Sequence, residues 1–237
     1  MKIKLFLIIA LFATNIASTF AHAVWIESKS NGVKGNPQEV KIFFGEYTTG
    51  DIRPTQKWFS NLKDFKLELI APDGSKSTLS TSADSLFYKT SFTPTQDGTY
   101  ILSIVHNVAA IYQNAKLQYY AFANVAVGDH VKPNKFFPAD ASLILSPSKS
   151  VVKLNEPVSH QLIFKQSPLA KERITIVNPD KKKVEVETDQ NAQFDFNPAL
   201  KGGYFLEAFA EDKTPGKFDG KDFEKVWHVV TNYIEIK

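Results

Sequence analysis

The chain of 237 residues contains no cysteine, and its single methionine is Met1. Disulfide scaffolds, zinc ribbons and thiol catalysis are thereby excluded. A methionine-rich copper(I) site is excluded too once Met1 is lost. Enzyme signatures are missing as well. There is no G-x-S-x-G elbow, no phosphate-binding P-loop, no Rossmann glycine pattern and no H-E-x-x-H. Acidic residues are scattered, with no closely spaced pair suited to acid–base work. Asp219-Gly220-Lys221-Asp222 lacks the ligand ladder and closing Glu of a calcium loop and reads as an exposed hairpin tip. A non-enzymatic protein is the expectation.

Long hydrophobic runs are scarce. One opens the chain, where Lys2 and Lys4 precede the apolar stretch Leu5–Ala13 and the small residues Thr19 and Ala21. That order is a secretory signal peptide over Met1–Ala21, shorter in its apolar part than the ~20 residues of a membrane-spanning helix. A cut after Ala21 is preferred and leaves His22 as the N-terminus, whereas a cut after Ala23 would discard it. Export to the periplasm or beyond, without a transmembrane anchor in the mature chain, is expected. The formal charge of +3 falls to +1 when Lys2 and Lys4 are removed. No basic patch then points to nucleic acid, and Lys181-Lys182-Lys183 reads as a solvated turn.

What is present is β-pattern. Short apolar or alternating runs recur between Pro, Gly, Asn and Asp, which predicts an all-β protein. Val40–Phe44, Phe65–Ile70, Leu86–Phe92, Thr99–His106 and Leu117–Val127 form one set. Ser142–Leu145, Val158–Phe164, Arg173–Val177, Lys183–Glu187, Gln193–Phe196, Gly203–Ala210 and Val226–Ile236 form a second. Each set repeats one order: a strand, a Pro-Asp turn (Pro72-Asp73, Pro179-Asp180), a strand, Phe-x-Pro (Phe92, Phe196), then Gly-x-Tyr (Gly98-Thr99-Tyr100, Gly202-Gly203-Tyr204). The Gly-x-Tyr step predicts the tyrosine corner of an immunoglobulin-like sandwich. Two tandem Ig-like β-sandwiches are expected, at 22–128 and 141–237, joined by a polar linker at 129–140.

Five histidines carry the candidate metal chemistry: His22, His106, His130, His160 and His228. An N-terminal His22 could chelate an ion through its α-amine and its own imidazole, because that amine titrates near pH ~8. His106 or His228 would supply a second imidazole, giving a site suited to copper(II) or nickel(II). The alternative for each is a frayed, polar-face or half-buried histidine without a ligand. His130 falls in the linker, and His160 alternates within its strand and is expected to face solvent.

The opening Ala21-His22-Ala23-Val24-Trp25-Ile26-Glu27, Gly45-Glu46 and Asp97-Gly98-Thr99-Tyr100 resemble a bacterial family, the periplasmic components of cobalt/nickel transport with a nickel-uptake substrate-specific domain. The resemblance spans roughly His22 to Ile236. It implies a periplasmic protein that binds a divalent transition metal, nickel or cobalt ahead of copper, at His22, and hands it to a membrane metal transporter. The rival reading is a protein- or glycan-interaction module, with Trp58-Phe59 and Phe136-Phe137 as candidate exposed aromatics. Copper redox chemistry at an N-terminal histidine is a third reading, with no further motif behind it.

Overall fold

The computed structural model describes residues 22–129 and 131–237, so the signal peptide Met1–Ala21 and His130 lie outside the described residues. The first half runs β1 (Ala23–Glu27), β2 (Asn31–Gly32), β3 (Gln38–Glu46), β4 (Asp51–Ile52), β5 (Leu67–Ile70), β6 (Lys76–Leu79), β7 (Ser82–Ala83), β8 (Tyr88–Phe92), β9 (Gly98–Tyr112) and β10 (Ala115–Val127). The second runs β11 (Leu143–Pro147), β12 (Val158–Phe164), β13 (Ser167–Pro168), β14 (Arg173–Val177), β15 (Lys183–Glu187), β16 (Gln193–Phe196), β17 (Gly202–Asp212), β18 (Gly216–Phe218), β19 (Lys221–Phe223) and β20 (Lys225–Ile236). Asp219-Gly220 is the two-residue tip of the β18–β19 hairpin, with positive φ at both residues.

The strands make two sandwiches that share a sheet. A nine-stranded sheet runs β15-β14-β17-β20-β10-β9-β5-β6, with β2 pairing onto β10. Its two halves are joined where β10 and β20 run parallel, in register from Ala115↔Lys225 to Ala123↔Tyr233. The five-stranded sheet of β1, β3, β4, β7 and β8 covers one face, and the sheet of β11, β12, β13 and β16 covers the other. Side chains alternate accordingly along β10. Tyr119, Ala121, Ala123 and Val125 enter the first core, whereas Tyr120 and Phe122 enter the second. Covered on both faces, β10 and β20 are buried along most of their length, whereas the edge strand β15 is largely exposed and alternates Lys183, Glu185 and Glu187 with valines.

Residues 131–140, within the segment expected as a linker, lie against the first sandwich. Asn134 Nδ2 donates to the carbonyls of Ala71 and Thr99 at 3.0 and 2.8 Å, and Thr99 Oγ1 donates to the Lys132 carbonyl at 2.7 Å. Phe137 sets its ring edge-on to Phe122 in the second core.

Both repeats of the sequence motif have one physical basis. Gly98 takes φ +134°, and a Cβ there would meet Pro72 at 2.4 Å; Gly202 takes φ +118° over Pro179 at 3.0 Å. Each Pro-Asp turn therefore packs on the glycine that begins the Gly-x-Tyr strand. The tyrosine corners follow. Tyr100 Oη accepts the amides of Thr95 and Gln96 at 3.0 Å each, and Tyr204 Oη accepts the Leu200 amide at 2.8 Å. Phe92 and Phe196 back the two rings, at 5.5 and 5.0 Å. Replacing Tyr100 by Phe strands two amides and should cost about 2 kcal/mol, against about 1 kcal/mol for Tyr204→Phe. Urea unfolding with an unchanged slope measures both, and equal midpoints for wild type and Tyr100→Phe would refute the corner's role.

Candidate functional site

His22 immediately precedes β1 and stands beside the end of β3. A Cβ at Gly45 would lie 2.0 Å from the Asp51 carbonyl, so glycine is what lets β4 close on β3. That approach delivers Asp51 and Arg53 to the histidine. Arg53 Nε donates to His22 Nε2 at 2.9 Å, and Asp51 Oδ2 lies 3.6 Å from the same nitrogen and 3.3 Å from Arg53 Nη2. The ring stands 5.7 Å from Phe44, and the Tyr119 hydroxyl donates to the His22 carbonyl at 3.2 Å. The next residues are held as firmly: Ala23 pairs with Gly45, and Thr231 Oγ1 donates to the Val24 carbonyl at 2.7 Å.

Sheet parity separates the two candidate partners of His22. His106 is opposite Tyr119 on β10 and shares its face, the one that meets His22. His228 is opposite Gln118, one residue along, and so points into the second core. There His228 Nδ1 is 2.9 Å from the Tyr120 hydroxyl, and the ring packs on Tyr120 and Phe164. Of the two alternatives for a second imidazole, His228 thus lies on the opposite face of the sheet from His22, and His106 on the same face. His106 is buried, and its Nε2 has no hydrogen-bond partner among the described residues. Burial lowers its pKa, with Asp64 acting in the opposite direction. Among the described residues, no three His, Asp or Glu side chains come together as a metal cage.

His160 corrects another expectation. Rather than facing solvent it is 1% exposed, stacked on Phe194 with Phe196 at its edge. Its strand β12 is covered on the core face by the shared sheet, and Val158, His160 and Leu162 all take the buried parity.

Sequence reasoning passed over several residues. Asp51 and Arg53 fell in a polar stretch that reads as a turn, and only the chain reversal after Gly45 brings them to His22. Glu207 is a second case. It lies on β17 between Thr175 and Thr231, on the face of Phe205 and Phe209. Its surface is only partly covered, yet it sits deep enough for desolvation to push its carboxyl up to about 8, with Glu46 adding and Lys183 opposing.

A third group lies at the far end of β9. The expected aromatic pairs divide there: Trp58 is 7% exposed and packs on Phe44, Phe65 and Tyr88, while its neighbour Phe59 is 38% exposed. Phe59 meets Tyr112, 46% exposed, at 6.3 Å and 78°, and Tyr112 rests edgewise on Trp227 at 6.4 Å. Of the other pair, Phe136 is exposed over Gly74 and Phe137 is partly buried. Tyr112 is the member that sequence reading missed, because it closes a strand expected to end at His106.

A family model described as "Domain of unknown function (DUF4198)" matches residues 19–212. No curated protein matches. Solved structures similar to the chain include the BSP domain of a biofilm associated protein, at 12% identity over 88% of this chain and 30% of that one, TM-score 0.24. A Ca2+-stabilized adhesin of an Antarctic bacterium that binds ice gives 8% identity over 91% and 49%, TM-score 0.26. A two fibronectin type-III domain segment from chicken tenascin gives 12% over 86% and 95%, TM-score 0.24. The chain spans less than half the length of the first two. Among the described residues no helix is long and apolar enough to cross a membrane.

The buried histidines make stability depend on acid. Burial pushes both His160 and His228 down to about 4 from an ordinary 6.5. Between those values the unfolded chain binds protons that the folded chain refuses, so stability falls as pH drops from 6.5 to 4. Each contributes on the order of 3 kcal/mol at full effect. Glu207 acts at the other end: its raised pKa stabilises below pH 4.5, and that stability is lost as pH rises through about 8. Urea unfolding of His160→Phe should therefore show a shallower loss between pH 6.5 and 4 than wild type. Glu207→Gln should flatten the decline toward pH 8.5. Parallel pH profiles for all three proteins would count against these assignments.

Proposed function

The chain belongs to the DUF4198 family, and from that premise we propose a non-enzymatic interaction module of the bacterial envelope, exported by its signal peptide. One observation carries the reading: two half-exposed aromatic rings, Phe59 and Tyr112, are fixed at a right angle on the end of a sheet that runs unbroken through both sandwiches. Exposed aromatics on a rigid frame lose little conformational entropy on binding, so modest contacts yield measurable affinity. Labelled exported protein should bind envelope preparations, and a Phe59→Ser/Tyr112→Ser double variant should bind about tenfold more weakly at an unchanged thermal midpoint. Equal binding by the variant, or none by the wild type, overturns the reading.

A second reading, uptake or delivery of nickel or cobalt, is favoured by a specific arrangement at His22. The histidine is held at the start of β1 on the face that carries His106, whose buried Nε2 is unpaired among the described residues. On a chain cut after Ala21, the α-amine and Nδ1 of His22 are the chelating pair. A metal at Nδ1 leaves the ring proton on Nε2, where Asp51 is placed to accept it and Arg53 must give way. Isothermal titration with nickel, cobalt and copper should give sub-millimolar binding that His22→Ala abolishes and His228→Gln leaves intact. Binding unchanged in His22→Ala removes the site.

A further inference from the structure

The corner formed by Phe59 and Tyr112 is built, not incidental. Trp58 anchors the loop that carries Phe59: its ring lies in the first core and its Nε1 donates to the Arg53 carbonyl at 3.2 Å. The next two residues clamp that loop to β9. Ser60 Oγ accepts the Ala110 amide at 3.1 Å, Asn61 Oδ1 accepts the Ala109 amide at 2.8 Å, and Asn61 Nδ2 donates to the Asn107 carbonyl at 3.3 Å. Ser60 accepts a positive φ of 56° to make the turn. Tyr112 is held from the other side. It is the last residue of β9, paired with Ala115 across a two-residue turn, Gln113-Asn114, in which both residues have positive φ. Behind it stands the buried Trp227, whose Nε1 donates to Glu211 at 2.9 Å and whose face carries Lys225 Nζ at 4.8 Å.

Two properties of this corner define its occupant. Its exposed aromatic area is small, on the order of 150–200 Å2 for the two rings at their observed exposure. A stable protein partner needs roughly 800 Å2 per side, several times as much. The hydrogen-bonding groups on the face of the rings are the hydroxyls of Ser60 and Tyr112 and the amides of Asn61 and Gln113, and the two charges behind Tyr112, Lys225 and Glu211, are paired with each other at 3.0 Å. Gln113 Nε2 already donates to Tyr112 Oη at 3.3 Å. A flat apolar face with amides at its edge is complementary to a hexopyranose with equatorial hydroxyls. Such a sugar shows C–H groups on its broad face and hydroxyls around its rim. The right angle lets one sugar ring stack on Tyr112 while its edge meets Phe59.

We propose that the Phe59–Tyr112 corner is a binding site for a neutral glycan chain of equatorial-hydroxyl sugars. The proposal rests on the interaction reading above and names its ligand class. Full-length exported protein, labelled with 15N, is titrated with cellohexaose, chitohexaose and, as the charged comparison, oligogalacturonate. One of the two neutral hexasaccharides should shift the amides of Ala109, Ala110 and Gln113 and the Trp227 indole, with a dissociation constant of about 0.1–1 mM. Tyr112→Ala should weaken it about tenfold at an unchanged thermal midpoint, and Tyr112→Trp should retain it. Absence of shifts with both neutral sugars, tighter binding of oligogalacturonate, or equal affinity of Tyr112→Ala each overturn the proposal. If the double variant still loses envelope binding while neither sugar binds, the interaction reading stands and the glycan assignment falls. If envelope binding is equal in variant and wild type, the interaction reading falls with it.

Discussion

The parallel pairing of β10 with β20 is the constraint on which the architecture depends. Two ordinary sandwiches in tandem would each own two sheets and meet through a linker. Here one sheet of each is welded to the other over nine residue pairs, from Ala115↔Lys225 to Ala123↔Tyr233. The weld fixes which face each smaller sheet must cover, because a strand presents alternate side chains to opposite sides. Tyr119 and Tyr120 are adjacent in sequence yet belong to different cores. Relative motion of the two halves would have to break strand pairing rather than flex a loop.

The contacts across the junction reinforce that weld. Tyr47, beyond the end of β3, stacks on Phe205 of the second half at 4.5 Å, and Trp25 meets the same ring edge-on. Lys181, in the second Pro-Asp turn, lies 3.5 Å over the Tyr47 ring. The turn that in the first repeat carries Gly74 at positive φ thus carries Lys181 in the second, also at positive φ, and its side chain is spent on the interface. One motif position serves the turn in one copy and the junction in the other.

Local features were legible in the sequence and relational ones were not. The tyrosine corners, the Pro-Asp turns and most strands came from patterns a few residues long, because turn chemistry and alternation are set by near neighbours. The apolar run Leu117–Val127 marked a strand but neither the two cores it enters nor the strand that covers its edge. Histidine positions show the same limit. His160 alternates with polar residues, and nothing local says that its side of β12 is the covered one. His106 and His228 looked equivalent as partners for His22, and only the register with β10 places them on opposite faces. Asp51, Arg53 and Glu207 acquire their neighbours through chain reversals and pairings that span tens of residues.

The pairing of β10 with β20, and the hydrogen bond from β20 to β1, also order events in time. β1 reaches the Val24–Thr231 hydrogen bond, and β10 reaches its full set of partners, only when residues 225–236 are present. Contacts of such sequence separation form late and slowly. Until then the N-terminal sandwich keeps β1 paired to β3 but has an open sheet edge along β10. That edge closes only when β20 pairs with it.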